Sequence, residues 1–559
     1  MRLLHTTKLK IEEFIGRRSD AVLVREGRDA VPEYTVPRYA ILSHTWEEEE
    51  VSFQDWQGRM DSTKRKKGYA KILKSCERAR QDGYDWIWID TCCIDKTSSA
   101  ELSEAINSMF QWYRDSDVCY VYLSDATGTQ PVYIEDDWPS AVSRWYSRGW
   151  TLQEVIAPAQ VRFLRRDWTD VGSKEDHLDA ISTITGIDIY ALKGGDLSRM
   201  SVARRFKWLA RRETTRIEDM AYCMLGIFDI NMPLLYGEGT KAFIRLQEEI
   251  INTTEDQSIF AWAGSKPKVH NKNIWKDFDL ILSGYGIIAE SPSQFERSAS
   301  VAMFARPQPS RPHTVVTRHG TRVHLLMGQS VSNDDFMAVL DCQIGSTPGV
   351  FAGIDLRRIA KNRFIRLNHT HIFRFARCGL NGEVLIEGFD PTEEQKELVE
   401  LDSPGISYKD WKLKEVYIAQ SNLIPLPPGF WVLPSEQGMS IESVYPPEIW
   451  DTAANILQPP VARAKIGAVG LRVRTMSIAL VLGYYSNSWY IDQPWCKLCS
   501  YSGEDRLSDV FAACEVPSQE RSTIHQSRKD YSKLAGLKVS VRRSYVSSVP
   551  MNIVQFHVK

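Results

Sequence analysis

Short apolar runs alternate with amphipathic helices between residues 39 and 164, and this alternation limits the fold more than any other feature. Four runs are typical of buried strands: Tyr39–Ser43, Trp86–Ile89, Val118–Leu123 and Val161–Leu164. Between them, apolar residues recur at helical spacing, as in Tyr69, Ile72, Leu73 and Cys76. Strands that alternate with helices in this order predict an α/β fold with a parallel sheet and right-handed crossovers.

Polar residues follow the apolar runs at the points where the predicted strands end. Ser43 and His44 fall at the end of the first run, Asp90 follows the second, and Glu154 lies on a short helix before Pro158. In open parallel sheets, ligands bind outside the carboxyl ends of the strands. The sequence therefore predicts a site that contains these residues.

The pattern of apolar and polar residues changes twice after this region. Residues 176–253 have helical periodicity, and residues 254–559 consist of short apolar or alternating runs between Pro, Gly and Ser clusters. We therefore predict an α/β domain over residues 1–175, a helical extension over 176–253 and an all-β domain, a sandwich or barrel, over 254–559. The basic residues Arg204, Arg205, Lys207, Arg211 and Arg212 favour a solvated helix surface, with an interdomain or phosphate contact as the alternative.

Composition and charge exclude several classes of protein. The 559 residues carry a formal net charge of −2, which gives no reason to expect a nucleic-acid or anionic-membrane partner. We predict no secretory signal and no membrane span, because the N-terminus and the apolar runs do not have the required length. Ten scattered cysteines favour a reducing, cytoplasmic location, and the lone pair Cys496 and Cys499 favours buried thiols over a zinc site. No metal site is predicted.

Three blocks of the sequence resemble a known family. Tyr39–Trp46, Trp86–Asp95 and Arg148–Glu154 are similar to the hallmark blocks of the fungal heterokaryon incompatibility (HET) domain. Arg216–Phe228 and Pro233–Gly239 resemble the extension that follows this domain in many members, so the resemblance covers roughly residues 39 to 250. One position departs from the family pattern. Members commonly have Gly after the tryptophan of the first block, where this chain has Glu47, and the loop geometry is expected to differ.

HET domains are in turn similar to TIR domains, which have a flavodoxin-like fold. Ala40–Ser43 resembles the first TIR strand with its terminal serine, and Asp95–Ile106 resembles the loop and helix start after the second strand. Trp150–Glu154 is similar to the Trp-Cys-Leu-x-Glu sequence of TIR enzymes that cleave NAD, in which the glutamate is essential. The resemblance implies a flavodoxin/TIR-like sheet and a catalytic role for Glu154.

NAD would then be a substrate and not a bound cofactor. Nicotinamide leaves as a neutral molecule, so no general acid is required, and one carboxylate can stabilise the developing oxocarbenium charge. We expect Trp46 or Trp150 to stack on the nicotinamide and Arg148 to contact the pyrophosphate. Ser43, His44, Asp90 and Asp95 complete the predicted substrate-binding set.

Each of these residues also has a structural interpretation. Glu154 can pair with Arg148 or Arg144 on a helix surface, and the tryptophans can be core aromatics. Asp90 and Asp95 can cap loops or the following helix, His44 can be a structural imidazole, and Ser43 can close a turn.

Two functional hypotheses follow from the sequence. The first is a cell-death effector of fungal non-self recognition that cleaves NAD at the nicotinamide–ribose bond through Glu154. The second is a non-catalytic signalling or scaffold module that works by homotypic HET-domain assembly. Both hypotheses allow a homo-oligomer and an activating protein partner that the sequence does not identify.

Overall fold

The structure is a computed structural model that describes residues 1–15, 36–58, 60–127, 143–264, 285–303, 314–318, 320–329, 335–345, 349–360, 362–367, 372–378, 384–385, 398–400, 409–419, 429–433, 439–451, 455–457, 465–473, 476–486, 491–502, 505–516, 530–534, 537–546 and 549–558. Its contacts divide the chain into two compact units. The first unit contains residues 1–265, 288–308 and 341–346, and the second contains 266–287, 309–340 and 347–559. The predicted boundaries at residues 175 and 253 stay predictions.

A seven-stranded sheet forms the centre of the first unit. Its strands are β1 (Arg2–His5), β2 (Ile11–Glu13), β3 (Tyr39–His44), β4 (Trp86–Ile89), β5 (Val118–Leu123), β6 (Val161–Arg165) and β7 (Asp170–Ser173), in the order β2-β1-β4-β3-β5-β6-β7. The four central strands are parallel, and β1, β2 and β7 add antiparallel edges. The parallel α/β sheet is therefore confirmed, and the four predicted strands are its parallel core.

Helices connect the parallel strands as the periodicity predicts. The helices up to residue 156 are α1 (Phe53–Gln57), α2 (Met60–Thr63), α3 (Lys67–Gln81), α4 (Asp90–Cys93), α5 (Ser99–Asp115) and α6 (Thr151–Ile156). All residues of β3 are buried, and so are most of those in β4 and β5. Because helices cover both faces of this sheet, its central strands have continuous apolar sequences and not alternating ones.

Strand register brings the carboxyl ends of three strands to one edge. Leu42 of β3 pairs with Ile89 of β4, and Ser43 pairs with Val121 of β5. Asp90 directly follows Ile89, so it lies beside Ser43 at the same level of the sheet. Helix α6 contacts β3 and carries Glu154 to this edge.

The remainder of the first unit is mainly helical. Its further elements are α7 (Leu178–Thr185), α8 (Ile189–Leu192), α9 (Val202–Leu209), α10 (Asp219–Tyr222), α11 (Leu225–Phe228), α12 (Lys241–Thr253) and the strand β8 (Val301–Met303). Phe206 and Phe243 pack against each other with ring centroids 5.0 Å apart, joining α9 to α12. This confirms the helical character predicted after residue 176.

The second unit is rich in β-structure. Its described strands are β9 (Val315–Thr317), β10 (Gly320–Gln329), β11 (Asp335–Ile344), β12 (Phe351–Ala360), β13 (Arg363–Arg366), β14 (Phe373–Cys378), β15 (Val384–Leu385), β16 (Leu398–Glu400), β17 (Lys409–Ile418), β18 (Gly429–Leu433), β19 (Met439–Tyr445), β20 (Trp450–Asp451), β21 (Ile456–Leu457), β22 (Gly467–Val473), β23 (Met476–Ser486), β24 (Ile491–Ser500), β25 (Asp530–Leu534), β26 (Leu537–Val546) and β27 (Val549–Val558). The last four residues of β11 belong to the first unit. A helix, α13 (Leu507–Ala513), corrects the prediction of a purely β domain.

Two sheets of the second unit share one apolar core. One has the strand order β20-β21-β18-β27-β26-β25, and the other has the order β19-β22-β23-β24. Val432, Leu480 and Val554 are among the fully buried side chains of their common core. On the opposite face of the second sheet, α13 covers a smaller cluster that includes Val481 and Trp495. The last part of the chain thus has the sandwich character that the alternating sequence predicts.

Candidate functional site

Glu154 is a buried carboxyl group at the carboxyl edge of the parallel sheet. Only 7% of the residue is exposed. The Ser43 hydroxyl donates a hydrogen bond to Oε2 of Glu154 and accepts one from Nε1 of Trp145 at 2.8 Å. Because the buried indole fills one acceptor position of Ser43, it orients the hydroxyl proton toward the carboxyl group. The structure therefore joins the end of β3 to α6 through a defined hydrogen-bond relay.

This environment raises the pKa of Glu154 to about 8. Burial is the largest cause, since it disfavours the charged carboxylate, and the negative charge of Asp90 acts in the same direction. Hydrogen bonds from Ser43 and Tyr113 and the positive charge of Arg212 act in the opposite direction. At neutral pH, Glu154 is mainly protonated, and any group that brings a positive charge to it favours the carboxylate.

Asp90 lies beside Ser43 in the strand register, and its negative charge acts on Glu154. Its Oδ2 atom accepts a hydrogen bond from Nε1 of Trp46 at 2.7 Å. The Trp46 indole is 51% exposed, and Nζ of Lys96 lies 3.4 Å from a Trp46 ring centroid. A cation at this distance interacts favourably with the indole face. Trp46 thus covers one oxygen of Asp90 from the solvent side and is held by two polar contacts.

His44 lies at the end of β3 with its side chain only 1% exposed. Its Nε2 atom is 3.8 Å from Oδ1 of Asp90, which is longer than a hydrogen bond. Burial lowers the pKa of His44 well below its ordinary value, and the positive charges of Lys71 and Lys96 lower it further. The imidazole is therefore neutral at physiological pH.

Two cationic side chains hold the short helix that carries Glu154. The buried Arg212 guanidinium donates from Nη1 to the Arg148 carbonyl at 2.8 Å and to Oγ1 of Thr151 at 2.9 Å. At the other end of α6, Nζ of Lys174 donates to the carbonyls of Val155 and Pro158. The lysine satisfies carbonyls that the end of a helix leaves without intrahelical partners. Residues beyond the parallel strands therefore fix the position of Glu154.

The structure brings five of the predicted site residues together: Ser43, His44, Trp46, Asp90 and Glu154. The other three predicted site residues, Arg148, Trp150 and Asp95, form hydrogen bonds with groups outside this cluster. Nη2 of Arg148 donates to Oγ1 of Thr215 at 2.8 Å, and the Trp150 indole is hydrogen-bonded to Asp219.

Asp95 lies in a turn, where it accepts hydrogen bonds from the backbone and the hydroxyl of Thr97 at 2.9 and 2.6 Å. These bonds, the hydroxyl bond first, lower the pKa of Asp95. Its local contacts correspond to the capping interpretation of the sequence.

Sequence reasoning missed Trp145 and Arg212 as parts of the site. Prediction of a solvated surface is wrong for Arg205 and Arg212, which are 8% and 5% exposed. The sequence of this basic segment does not distinguish an arginine that is exposed to solvent from one whose side chain hydrogen-bonds to the backbone of a neighbouring segment.

The acidic loop after Trp46 forms its turn without a glycine. Glu49 adopts a left-handed conformation with φ of 60°, and the Glu47 amide donates to Oε1 of Glu50 at 2.9 Å. The side chain of Glu50 in turn forms an ion pair with the buried Lys71. Side-chain contacts thus stabilise a backbone conformation that glycine would adopt without strain.

The described residues contain no group of three or more His, Cys, Asp or Glu side chains that could hold a metal ion. Cys496 contributes to the core shared by two sheets, whereas Cys499 lies on the opposite face, with Sγ 3.5 Å from that of Cys514. Two cysteines three positions apart on one strand cannot bind one ion when they face opposite sides of the sheet. Among the described helices, none has the length and apolar character required to cross a membrane.

The fold and this edge define an α/β domain with a buried, mainly protonated glutamate beside a second carboxylate. Residues 39–136 match the family model described as heterokaryon incompatibility protein (HET), and residues 241–332 match a domain of unknown function (DUF8212). The chain is also 48% identical over 240 residues to the vegetative incompatibility protein HET-E-1 of Podospora anserina. The chain therefore contains a heterokaryon incompatibility domain.

The match to HET-E-1 covers 42% of this chain and 17% of the relative. The chain thus spans only a small part of the length of that protein. No solved structure matches this chain significantly.

Proposed function

We propose that this protein is an effector of heterokaryon incompatibility that cleaves NAD at the nicotinamide–ribose bond, with Glu154 as the catalytic residue. The single observation that carries the proposal is the buried Glu154 carboxyl group, which Ser43 orients and Asp90 adjoins. Buried carboxyl groups with raised pKa values cluster at functional sites. The HET match and the similarity to a vegetative incompatibility protein support the biological role.

The order of the parallel strands supports a flavodoxin/TIR-like fold within this proposal. Numbered along the chain, the four parallel strands have the order 2-1-3-4, with which flavodoxin-like sheets begin. In such sheets, the ligand site lies at the carboxyl ends of the strands next to the point where the order reverses. Ser43 lies near the carboxyl end of β3, the strand at this point, and it is bonded to Glu154.

The reaction requires one carboxylate and one water molecule. The bond between C1′ of the ribose and the pyridinium nitrogen breaks, and its electron pair remains on neutral nicotinamide. Water adds its hydroxyl group to C1′ and releases a proton, which gives ADP-ribose. The ionised Glu154 stabilises the oxocarbenium charge that develops on the ribose.

The charge of the substrate favours the required ionisation of Glu154. The surroundings of the residue in the folded chain hold it mainly protonated below about pH 8. A pyridinium cation beside the carboxyl group stabilises the carboxylate, so binding of NAD releases a proton from Glu154. Glu154 therefore becomes a carboxylate when the cationic substrate binds.

The proposal assigns this activity to the cytoplasm of a fungal cell. The nine cysteines identified in the described part of the chain are all free thiols, as is usual in a reducing compartment. Self-assembly through the HET domain and an activating protein partner are part of the proposal. No nucleic acid is required for this chemistry.

Nicotinamide release by the purified full-length protein tests the proposal. Wild type is expected to convert NAD to nicotinamide and ADP-ribose at high protein concentration, whereas Glu154→Gln loses this activity and stays folded. Glu249→Gln, at an exposed position of α12, serves as the matched control and is expected to behave as wild type. Sustained cleavage by Glu154→Gln, or none by concentrated wild type, would falsify the proposal. Incompatibility that persists in cells expressing Glu154→Gln, without NAD loss, would favour non-catalytic assembly.

A further inference from the structure

Two neighbouring polar groups near Glu154 have hydrogen-bonding capacity that the described residues do not use. Oδ1 of Asp90 and both ring nitrogens of His44 are buried and have no hydrogen-bond partner in the described part of the chain. The nearest pair of these atoms, Oδ1 and Nε2, is 3.8 Å apart. Buried polar atoms are usually satisfied, and those that remain unsatisfied require a partner outside the protein chain, such as a water molecule or a ligand.

The charges of this pair limit the chemistry of the ligand. His44 is a neutral imidazole, because burial and two nearby lysines disfavour its charged form. Asp90 retains a carboxylate oxygen that accepts hydrogen bonds and cannot donate them when ionised. The pair thus offers one neutral N–H donor next to one anionic acceptor. A ligand group that matches it has an acceptor and a donor side by side and carries no negative charge.

We propose that His44 and Asp90 recognise the primary carboxamide of the nicotinamide ring. This inference rests on the proposed function, because it assigns one end of NAD to these two residues. The amide nitrogen donates to Oδ1 of Asp90, and the amide oxygen accepts from the N–H group of His44. The strand register places Asp90 beside Ser43, which is bonded to Glu154, so we assign the carboxamide and the scissile bond of one nicotinamide riboside to the same edge of the sheet.

Trp46 lies beside Asp90 and is held by two contacts. Its half-exposed indole is bonded to the second oxygen of Asp90 at 2.7 Å and lies under the Lys96 ammonium group. Both contacts that hold Trp46 lie near the surface, where water replaces them at little cost.

The consequence is selectivity for the amide over the acid. In the deamidated dinucleotide, a carboxylate replaces the carboxamide and meets the carboxylate of Asp90. Like charges placed together without a neutralising partner disfavour binding strongly. Neutral His44 does not provide this partner, and the two nearby lysines already interact with carboxylates, Lys96 with Asp90 and Lys71 with Glu50. We expect full-length wild type to cleave NAD at least about tenfold faster, by kcat/KM, than the deamidated dinucleotide.

Asp90→Asn tests the assignment without removing the acceptor for the Trp46 indole. In this variant, the ratio of kcat/KM for NAD to kcat/KM for the deamidated dinucleotide is expected to fall by about tenfold, because the neutral amide introduced at this position does not repel a carboxylate. Asp196→Asn is the matched control, since Asp196 caps a short turn at Leu197–Arg199 and asparagine caps as well. It is expected to keep the wild-type preference.

Binding of free nicotinamide and nicotinic acid separates this inference from the proposed function. Saturation-transfer NMR is expected to show that full-length wild type binds nicotinamide and that it binds nicotinic acid at least about tenfold more weakly. Asp90→Asn is expected to bind the two compounds with similar affinity. Absence of NAD cleavage with this binding pattern overturns the proposed function and supports the carboxamide site. Equal cleavage or equal binding of amide and acid by wild type overturns the inference, and so does a preference that Asp90→Asn leaves unchanged. The wild-type comparisons decide the matter even if the variant does not fold.

Discussion

Replacement of Glu154 by glutamine is expected to stabilise the first unit progressively as the pH rises. The pKa of Glu154 is raised from 4.5 to about 8 in the folded chain, mainly by burial. Between these two values, the folded state holds a proton on Glu154 that the unfolded state has released. Stability from the protonated carboxyl group is therefore complete below pH 4.5 and is lost as the pH rises through this window. Glutamine resembles the protonated side chain at every pH.

The magnitude follows from the size of this window. Each pH unit well inside this window changes the free energy of unfolding by about 1.4 kcal/mol, and the slope halves at pH 8, so the advantage of Glu154→Gln grows by about 2 kcal/mol between pH 6 and pH 8. Above pH 8, the total reaches an order of about 5 kcal/mol. The comparison uses only the change with pH in the difference in unfolding free energy between Glu154→Gln and wild type. An effect of the substitution on packing that does not depend on pH therefore cancels.

The assay is proteolysis of the full-length protein across a urea gradient at pH 6, 7 and 8. Peptides from Tyr39–His44 and Thr151–Ile156, identified by mass spectrometry, report on the first unit alone. Glu249→Gln provides the control and is expected to follow wild type at each pH. A difference between wild type and Glu154→Gln that stays constant from pH 6 to pH 8 would show that Glu154 titrates near its ordinary pKa, and the reasoning from burial would be refuted.

Substitutions at Arg212 and Gly149 test which contacts hold the site in place. Arg212→Met is expected to destabilise the first unit by about 3 kcal/mol, since it removes charged donors to the Arg148 carbonyl and to Thr151. It also raises the pKa of Glu154, which shifts the pH dependence of NAD cleavage upward, whereas Arg212→Lys keeps the charge and shifts it less. Gly149→Ala places a Cβ atom 2.5 Å from Cγ2 of Thr214 and is expected to cost about 1–3 kcal/mol in urea unfolding. Thr214→Ser removes that methyl group and is expected to recover most of the loss; no recovery would contradict the packing explanation.

The parallel sheet could be predicted because its strands are buried on both faces. A continuous run such as Trp86–Ile89 needs no alternation, and helical spacing on either side indicates the crossovers. The edge strands Arg2–His5 and Asp170–Ser173 were not predicted. They are short and antiparallel, and their apolar content is too low to differ from a loop. Their pairing depends on neighbours that are distant in sequence.

The centre of the candidate site could be predicted for a related reason. The rule that strand ends meet at one edge placed Ser43, Asp90 and Glu154 together without any knowledge of side-chain contacts. Trp145 and Arg212 were missed, because their roles depend on how residues 147–149 meet residue 213. Glu213 and Ser147 are joined there by a backbone hydrogen bond of 2.7 Å. Such a contact between segments over 60 residues apart leaves no periodic signal in the sequence.

The β-rich second unit shows the same limits. Predicted strands such as Ile478–Tyr485 were found, because their apolar and β-branched residues exceed those of the surrounding turns. The strand Lys409–Ile418 was not singled out, since its charged residues are interspersed with apolar ones. The helix Leu507–Ala513 was also missed. It is short and covers one face of a sheet, so its formation depends on tertiary packing more than on local preference.

The pH dependence of NAD cleavage links the ionised Glu154 to the reaction. With full-length wild type, kcat/KM for nicotinamide release is expected to rise about tenfold per pH unit below pH 8 and to level off above it, while Glu154→Gln stays at background throughout. A profile that is already level from pH 5 upward, or cleavage by the glutamine variant at the wild-type rate, would contradict the account.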